Sequence, residues 1–381
     1  MIYFDNGATT FPKPIMVKKA AEEYFYKYGG NPGRGGYDFS LKTAEKIFEV
    51  RSKLKNMFGA ENEENVIFTA NCTDSCNMVI NGYLKKGDHV IISDLEHNAV
   101  ARPIYHLAKE GIITFDIAET FSDSNKTVRA IKDKIRSNTK LVITVHASNV
   151  TGRVLPIKEI GKICKENEIL YMVDGAQSAG LIPIGIKEDN IDFLCLAGHK
   201  SLMGATGIGV LITNKGELLK PSRFGGTGSM SFSLDFPDFT PDRLECGTLN
   251  TLGIICLGAG IDYINKTGIN KIYEYEIKLA QNLYNKLSEN MDITIYSDYP
   301  KENNSVPIVT FNIKEKYSED LCRELSKIGF CLRGGLHCSP LAHKKLNTLD
   351  IGAVRAVIGC FNNNDEVLKL GKLLENYKKT I

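Results

Sequence analysis

The sequence predicts an α/β fold, with a large domain on a mostly parallel seven-stranded sheet and a smaller α+β C-terminal domain. Three observations carry this. Between about residues 60 and 215, short apolar runs rich in β-branched residues alternate with runs whose apolar residues recur at helical spacing, which is the pattern of strands joined by helical crossovers. Beyond about residue 262 the texture changes to isolated strands set between helices. A chain of 381 residues with 43% hydrophobic content is long enough for a large core and for two domains.

Taken in order, the seven strands are expected at NVIFTA, HVIISD, ITFDIAE, KLVITVHA, ILYMVDGA, DFLCLAG and GIGVLIT, with TVRAIKDKIRSNT and IKEIGKICKENE as helices between them. LNTLGIICLGAGIDYINKTG reads as a long helix. After it come a helical run near 271–290, a strand at VPIVTFNI, a helix at SEDLCRELSKIG, a glycine-rich loop, a strand at AVRAVIGCF and a last helix opening at NNNDEVLKL. In that last helix an Asn cap precedes acids in the first turn, which suits the helix dipole. No repeat, low-complexity tract or Pro/Ser-rich linker interrupts the chain. The expected division is 14–261 for the large domain, with 1–13 and 262–381 forming the small one.

Composition then narrows the function. With 47 basic and 45 acidic residues, the net charge of +2 gives no electrostatic reason to bind nucleic acid or an anionic membrane. The opening MIYFDNGATTFPKP has no basic region followed by an apolar run, and no later stretch is long and apolar enough to span a bilayer, so a cytoplasmic location is expected. The ten cysteines are scattered without a secretory signal, so reduced thiols are expected rather than a disulfide framework. No CxxC occurs and the histidines do not pair with cysteines at ligand spacing, so no metal site is expected.

The chemistry gathers at strand ends. YMVDGAQSAG ends an apolar strand on Asp174, and CLAGHKSLMGATGIG ends another on His199 and Lys200, both among small residues that let a ligand approach the backbone. Most strand-end aspartates only cap helices and most lysines are solvated, but together the pair points to pyridoxal phosphate, which needs a Schiff-base lysine and a carboxylate for its pyridine nitrogen. VIFTANCTDSCNMVI offers a phosphate site, with the amides of Cys72 and Thr73 and the Thr73 hydroxyl at a helix N-terminus. A plain Thr or Asn cap explains the same residues. His97, in DLEHNAV, either lies against an aromatic ring or packs as a polar core residue. In RGGLHCSPLAHKKL, Cys338 sits in a glycine-rich loop where Arg333 and His337 supply positive charge or a base, which favours a nucleophilic thiolate; an inert thiol in a turn is the competing reading.

These residues resemble the class V, fold-type I pyridoxal-phosphate enzymes, and within them the cysteine desulfurase and selenocysteine lyase group, in its Suf-like (group II) branch. The resemblance runs essentially end to end, through YFDNGATTFPKP, NPGRGGYDFS, VDGAQSAG, AGHKSLMGATGIG, GGTGSMSFSLDFPDFTPDRLECGTLNTLGI, LRGGLHCSPLAHKKL and GAVRAVIG, with most weight on the GHK lysine, the ECGTLN segment and the HC loop. It implies that Lys200 forms the Schiff base and moves a proton at the substrate α-carbon, that Asp174 pairs with the pyridinium nitrogen, and that His97 stacks on the ring. Gln177 would bond the phenolic oxygen, Cys72, Thr73 and His199 would hold the phosphate, and Thr248 would reach the phosphate of a neighbouring subunit in a homodimer with shared sites. Asn149, Arg355 and Arg333 are the implied substrate-binding groups, the first two clamping the carboxylate.

The implied reaction takes L-cysteine to L-alanine, loads Cys338 with the sulfur as a persulfide and passes it to a protein acceptor that the sequence leaves open: a scaffold for iron-sulfur cluster assembly, a small transfer protein, a tRNA-modifying enzyme or a selenium-handling partner. Selenocysteine lyase activity on L-selenocysteine is the nearest alternative. Another class V aminotransferase or lyase needs Lys200 and Asp174 but no mobile thiol, and a partner-binding scaffold needs none of these residues. Three positions depart from the family pattern: Ala197 replaces a serine before GHK, Asn71 and Cys72 replace a Gly-Thr before Thr73, and Leu336 replaces a second histidine before HC.

Overall fold

A short strand, β1 (Ile2–Tyr3), opens the chain, and two helices, Ile15–Lys27 and Asp38–Phe58, precede the first strand of the main sheet. The sequence pattern did not mark either helix. The second ends where Gly59 takes φ +70°, the left-handed conformation a glycine C-cap adopts without a Cβ clash. The structure, a computed structural model, describes residues 1–33, 36–375 and 377. Arg34 and Gly35 of the NPGRGGYDFS segment lie outside the described residues, as do 376 and 378–381.

All seven expected strands of the main sheet form: β2 (Val66–Thr69), β3 (Asp88–Ser93), β4 (Ile113–Ala118), β5 (Thr139–Val145), β6 (Leu170–Asp174), β7 (Phe193–Ala197) and β8 (Gly209–Ile212). Their spatial order is β2-β8-β7-β6-β5-β3-β4, parallel except for β8, which runs antiparallel to both neighbours. The continuous apolar runs follow from burial on both faces. In β7, Leu194 and Leu196 enter the core on one face while Phe193, Cys195 and Ala197 enter the core on the other, the two-residue alternation of a pleated strand.

After the helices Thr251–Thr267 and Ile269–Ser288, a second sheet forms from β9 (Ile293–Ile295), β10 (Ile308–Ile313) and, after the helix Ser318–Lys327 and the strand β11 (Phe330–Cys331), β12 (Val354–Val357). Its order is β12-β10-β9, antiparallel throughout. β11 pairs in parallel with β1, so the first residues of the chain lie beside the last third of it. Phe4, fully buried, packs in one core with Phe311, Leu321, Phe330 and Val354. The final helix Asn364–Glu375 has the expected cap, with Glu366 N–H donating to Asn363 Oδ1 at 3.0 Å. No helix among the described residues is long and apolar enough to cross a membrane.

The main sheet positions the site. The chain moves outward from β3 to β4, returns to place β5 on the other side of β3, and continues the opposite way through β6 and β7. This reversal opens a crevice beyond the carboxyl ends of β3 and β5, where α/β sheets bind ligands.

Candidate active site

Beyond those strand ends lies a cavity of about 190 Å³ lined by Cys72, Thr73, His97, Asn149, Asp174, Gln177, His199 and Lys200. Each comes from the segment just past a strand: Cys72 and Thr73 open the helix Cys72–Tyr83 after β2, His97 precedes the helix Asn98–Lys109 after β3, and Asp174 ends β6. Ala197 lines the same wall.

Two charges of opposite sign dominate the cavity. Asp174 is buried and accepts from Ala176 N–H at 2.9 Å and from the Cys72 thiol at 3.5 Å. Desolvation of the Lys200 amine pulls its pKa below the ordinary value, against the opposing pull of Asp174. Although the Lys200 side chain keeps some accessible surface, its charged end is the part that burial penalises. His97 is also held below its ordinary pKa, first by burial and then by Lys200, with Asp174 opposing. Its Nδ1 accepts from Ala99 N–H at 3.0 Å, so the neutral ring carries its proton on Nε2. Burial lowers His199 to about 4, helped by Lys200 and Lys13. Gln177 Nε2 donates to Gly7 O at 3.0 Å.

This donor set fits pyridoxal phosphate. An amine biased toward its neutral form stands beside a carboxylate, the buried His199 Nδ1 has no partner among the described residues, and the first N–H groups of the helix at Cys72 are those that a helix leaves unpaired. Cys72, Cys76 and Asp174 also lie close enough together to suggest a metal. A thiol hydrogen bond, with Cys76 for Cys72 and with Cys195 for Cys76, and then burial push both cysteines well above the ordinary thiol pKa, opposite to what thiolate ligation needs.

Four expected site residues lie outside the cavity wall. Arg355, 2% exposed, donates from Nη1 to Asn149 O at 2.8 Å and from Nη2 to Asp5 Oδ1 at 3.2 Å, while its buried Nε has no partner among the described residues. Arg333 reaches the other Asp5 oxygen, with Nε 3.1 Å and Nη2 3.0 Å from Oδ2. Both arginines depress Lys200 electrostatically. Thr248 lines a different cavity, of about 530 Å³, with Asn31, Arg51, Gly228 and Glu245. The ECGTLN segment is fixed there by a buried ion pair, Arg51 Nη2 to Glu245 Oε2 at 2.6 Å, and by Phe68 N–H donating to Glu245 Oε1 at 2.6 Å.

Cys338 is exposed and opens onto a mainly apolar groove of about 800 Å³ that includes Tyr105, Phe115, Ile117 and Leu336. Its backbone is unusual: His337 and Cys338 have φ of +50° and +56°, left-handed values that cost side-chain-bearing residues free energy. Hydrogen bonds hold the loop, with Asn98 N–H donating to Cys338 O at 2.7 Å and Asn149 Nδ2 to His337 O at 2.8 Å. The expected part of His337 as a base beside the thiol is not what the structure shows. Its Nδ1 lies 3.2 Å from His343 Nε2, the rings stack at 5.4 Å, and burial, with Arg355 adding to it, lowers its pKa to about 3.

Sequence reasoning passed over Asp5, Glu96 and Ser339. Asp5 stands in YFDNGATT, a segment already notable for its resemblance; Glu96, fully buried one residue before His97, and Ser339, fully buried one residue after Cys338, carry no local signal of their own.

Comparison with known proteins agrees with this geometry. The profile of the aminotransferase class-V family matches residues 2–370. A probable cysteine desulfurase of Methanothermobacter thermautotrophicus is 35% identical over 385 residues, covering 98% of this chain and 94% of that protein. A cysteine desulfurase of Haloferax volcanii is 30% identical, covering 97% and 88%. The apo structure of a cysteine desulfurase from Thermococcus onnurineus NA1 superposes with a TM-score of 0.91 at 31% identity, covering 100% of this chain and 95% of that one. With nearly its whole length matched, and with a lysine, an aspartate and a helix N-terminus meeting at the sheet's switch point, this chain belongs to the aminotransferase class-V family.

Proposed function

We propose that the protein is a pyridoxal-phosphate-dependent cysteine desulfurase, which takes L-cysteine to L-alanine and carries the sulfur on Cys338 as a persulfide. One observation carries the reading: a single asparagine joins the two chemistries. Asn149 lines the cavity that holds Lys200 and Asp174, and its amide is bonded to the loop that presents an exposed thiol. The relatives named cysteine desulfurase along the full length support it.

When bound, the cofactor supplies an electron sink for the substrate α-carbon. Around it, Asp174 would keep the ring nitrogen protonated, its carboxylate steadied by Ala176 N–H. Lys200, its amine depressed by burial, would hold the cofactor and move a proton at the α-carbon. The neutral His97 ring would lie against the cofactor, Gln177 would face its phenolic oxygen, and Cys72, Thr73 and His199 would hold the phosphate. Asn149 and Arg355 would take the substrate carboxylate, the guanidinium fork being suited to it, with Arg333 as a further substrate-binding group. The Cys338 thiolate then attacks the substrate sulfur: an S–S bond forms, the Cβ–S bond breaks, and the carbon skeleton gains a proton and leaves as L-alanine.

Thr248 lies away from its own chain's cavity, as a residue serving a neighbouring subunit would, so we read the active protein as a homodimer with shared sites and a protein as the final sulfur acceptor. The packing of Phe4 with the second sheet supports the assignment of 1–13 and 262–381 to a small domain and 14–261 to a large one. Ten free cysteines suit a reducing, cytoplasmic compartment.

Persulfide trapping tests the function. The pyridoxal-phosphate form is incubated with L-cysteine, alkylated and digested while alanine is assayed. Added sulfur on the Cys338 peptide with matching alanine is the expected result; alanine without it, or neither product, overturns the mechanism.

A further inference from the structure

The Cys338 loop is held against its own conformational preference, and the residue that completes the hold is Ser339. Two consecutive left-handed residues precede it, and its side chain is fully buried although hydroxyl-bearing. Ser339 Oγ donates to Asn149 Oδ1 at 2.7 Å, while Asn149 Nδ2 donates to His337 O at 2.8 Å. The asparagine amide is thus gripped from both sides by the loop, on either flank of the thiol. The amide retains one N–H and one lone pair, on a side chain that lines the cavity.

Nearby, Arg355 presents a buried Nε donor without a partner among the described residues and anchors the Asn149 carbonyl. An anion entering the cavity near this cation meets the Asn149 N–H groups, one of which the loop is using. A carboxylate accepts hydrogen bonds only, so it gains nothing from Oδ1 and finds one Nδ2 N–H free while the loop is seated but both when the loop is released. Its affinity therefore differs between the seated and released loop, which is what allows a ligand to shift such an equilibrium.

We propose that Ser339 is a positioning residue which, through Asn149, couples carboxylate binding in the cavity to release of the Cys338 loop. The proposal rests on the reading of the cavity as an amino-acid site. Seated, the loop holds the thiol at one place beside the cavity; released, the backbone relaxes from its left-handed conformation and the thiol gains reach. A ligand that frees the loop is by reciprocity bound more tightly where the loop is already free.

The test is the rate of Cys338 alkylation by iodoacetamide in the pyridoxal-phosphate form, followed by peptide mass spectrometry. L-alanine serves as the ligand, since it offers the carboxylate and no sulfur. L-alanine is expected to raise the wild-type rate several-fold. Ser339→Ala is expected to show the raised rate without ligand and a further rise of less than about twofold with it, with Ser339→Thr, which keeps the hydroxyl, returning toward wild type. A wild-type rate that L-alanine leaves unchanged or lowers overturns the coupling without recourse to any variant. A Ser339→Ala rate equal to wild type in the absence of ligand overturns the hold. The desulfurase reading fails separately, if L-cysteine yields no alanine while the alkylation rates behave as described.

Discussion

Asp5 and Arg355, 350 residues apart in sequence, form an ion pair of 3.2 Å in which the guanidinium is almost wholly buried. The same carboxylate also takes Arg333. One acid therefore pairs with both cations assigned to the substrate, leaving one positive charge uncompensated within the trio.

Removing that acid leaves a buried cation without a counter-charge, which costs about 3–5 kcal/mol. Asp5→Ala is expected to lose stability of this order in urea unfolding and to raise KM for L-cysteine more than it lowers kcat. An Asp5→Ala protein with wild-type stability and KM would show that the pair neither supports the fold nor orders the clamp.

Lys200 carries a different kind of test. Borohydride reduction of the pyridoxal-phosphate form is expected to leave the reduced cofactor on the Lys200 peptide. In Lys200→Ala, alanine formation is expected to fall by about 10²–10⁴-fold or more, the span that a positioned proton-transfer group supplies. Label on another lysine would refute the assignment.

Glu96 gives a pH dependence. Burial, with Asp174 adding to it and a Ser93 hydrogen bond opposing, raises its carboxyl from 4.5 to about 8. Folded, it keeps its proton up to about pH 8; unfolded, it loses it near 4.5. Between those values the folded state binds more protons, so stability falls as pH rises across the window. Glu96→Gln, neutral at every pH, is expected to lack this slope. Parallel stability curves for the two proteins from pH 4.5 to pH 8 would contradict it.

His337 and His343, lowered by burial to about 3 and about 4, stay neutral above pH 5. The pH profile of Cys338 alkylation is accordingly expected to show no step near the ordinary histidine value of about 6.5. A step there that disappears in His337→Gln would restore the histidine as a base. His343→Ala, which deprives both His337 and Thr348 of a buried partner, is expected to cost about 1–3 kcal/mol of stability.

The main sheet was legible because its strands are buried on both faces and therefore spell continuous apolar runs, as in Leu141–Val145, broken by polar or small residues where the site begins. β1 and β11, two residues each, have no such run; their partners across the chain make them strands. The helix Ile15–Lys27 buries only Val17 fully, so its pattern gave little to read. At the site, Asp174 and Lys200 declared themselves by position after apolar runs. Asp5, Glu96 and Ser339 matter through contacts with residues distant in sequence, or through burial that no local motif encodes. The surroundings of His337 were hidden for the same reason: its neighbour in sequence is Cys338, but its ring nitrogens lie against His343 Nε2 and Arg333 O.

The pairing of β1 with β11, and of Asp5 with Arg333 and Arg355, has a consequence for the birth of the protein. A newly made stretch of chain is sheltered inside the ribosome, and Arg355 is made 350 residues after Asp5. Asp5 must therefore wait until all of the main sheet has been made before it meets Arg355. The anion clamp closes late in synthesis, and a product truncated before Arg355, whatever strands of the main sheet it has formed, lacks the means to grip its substrate.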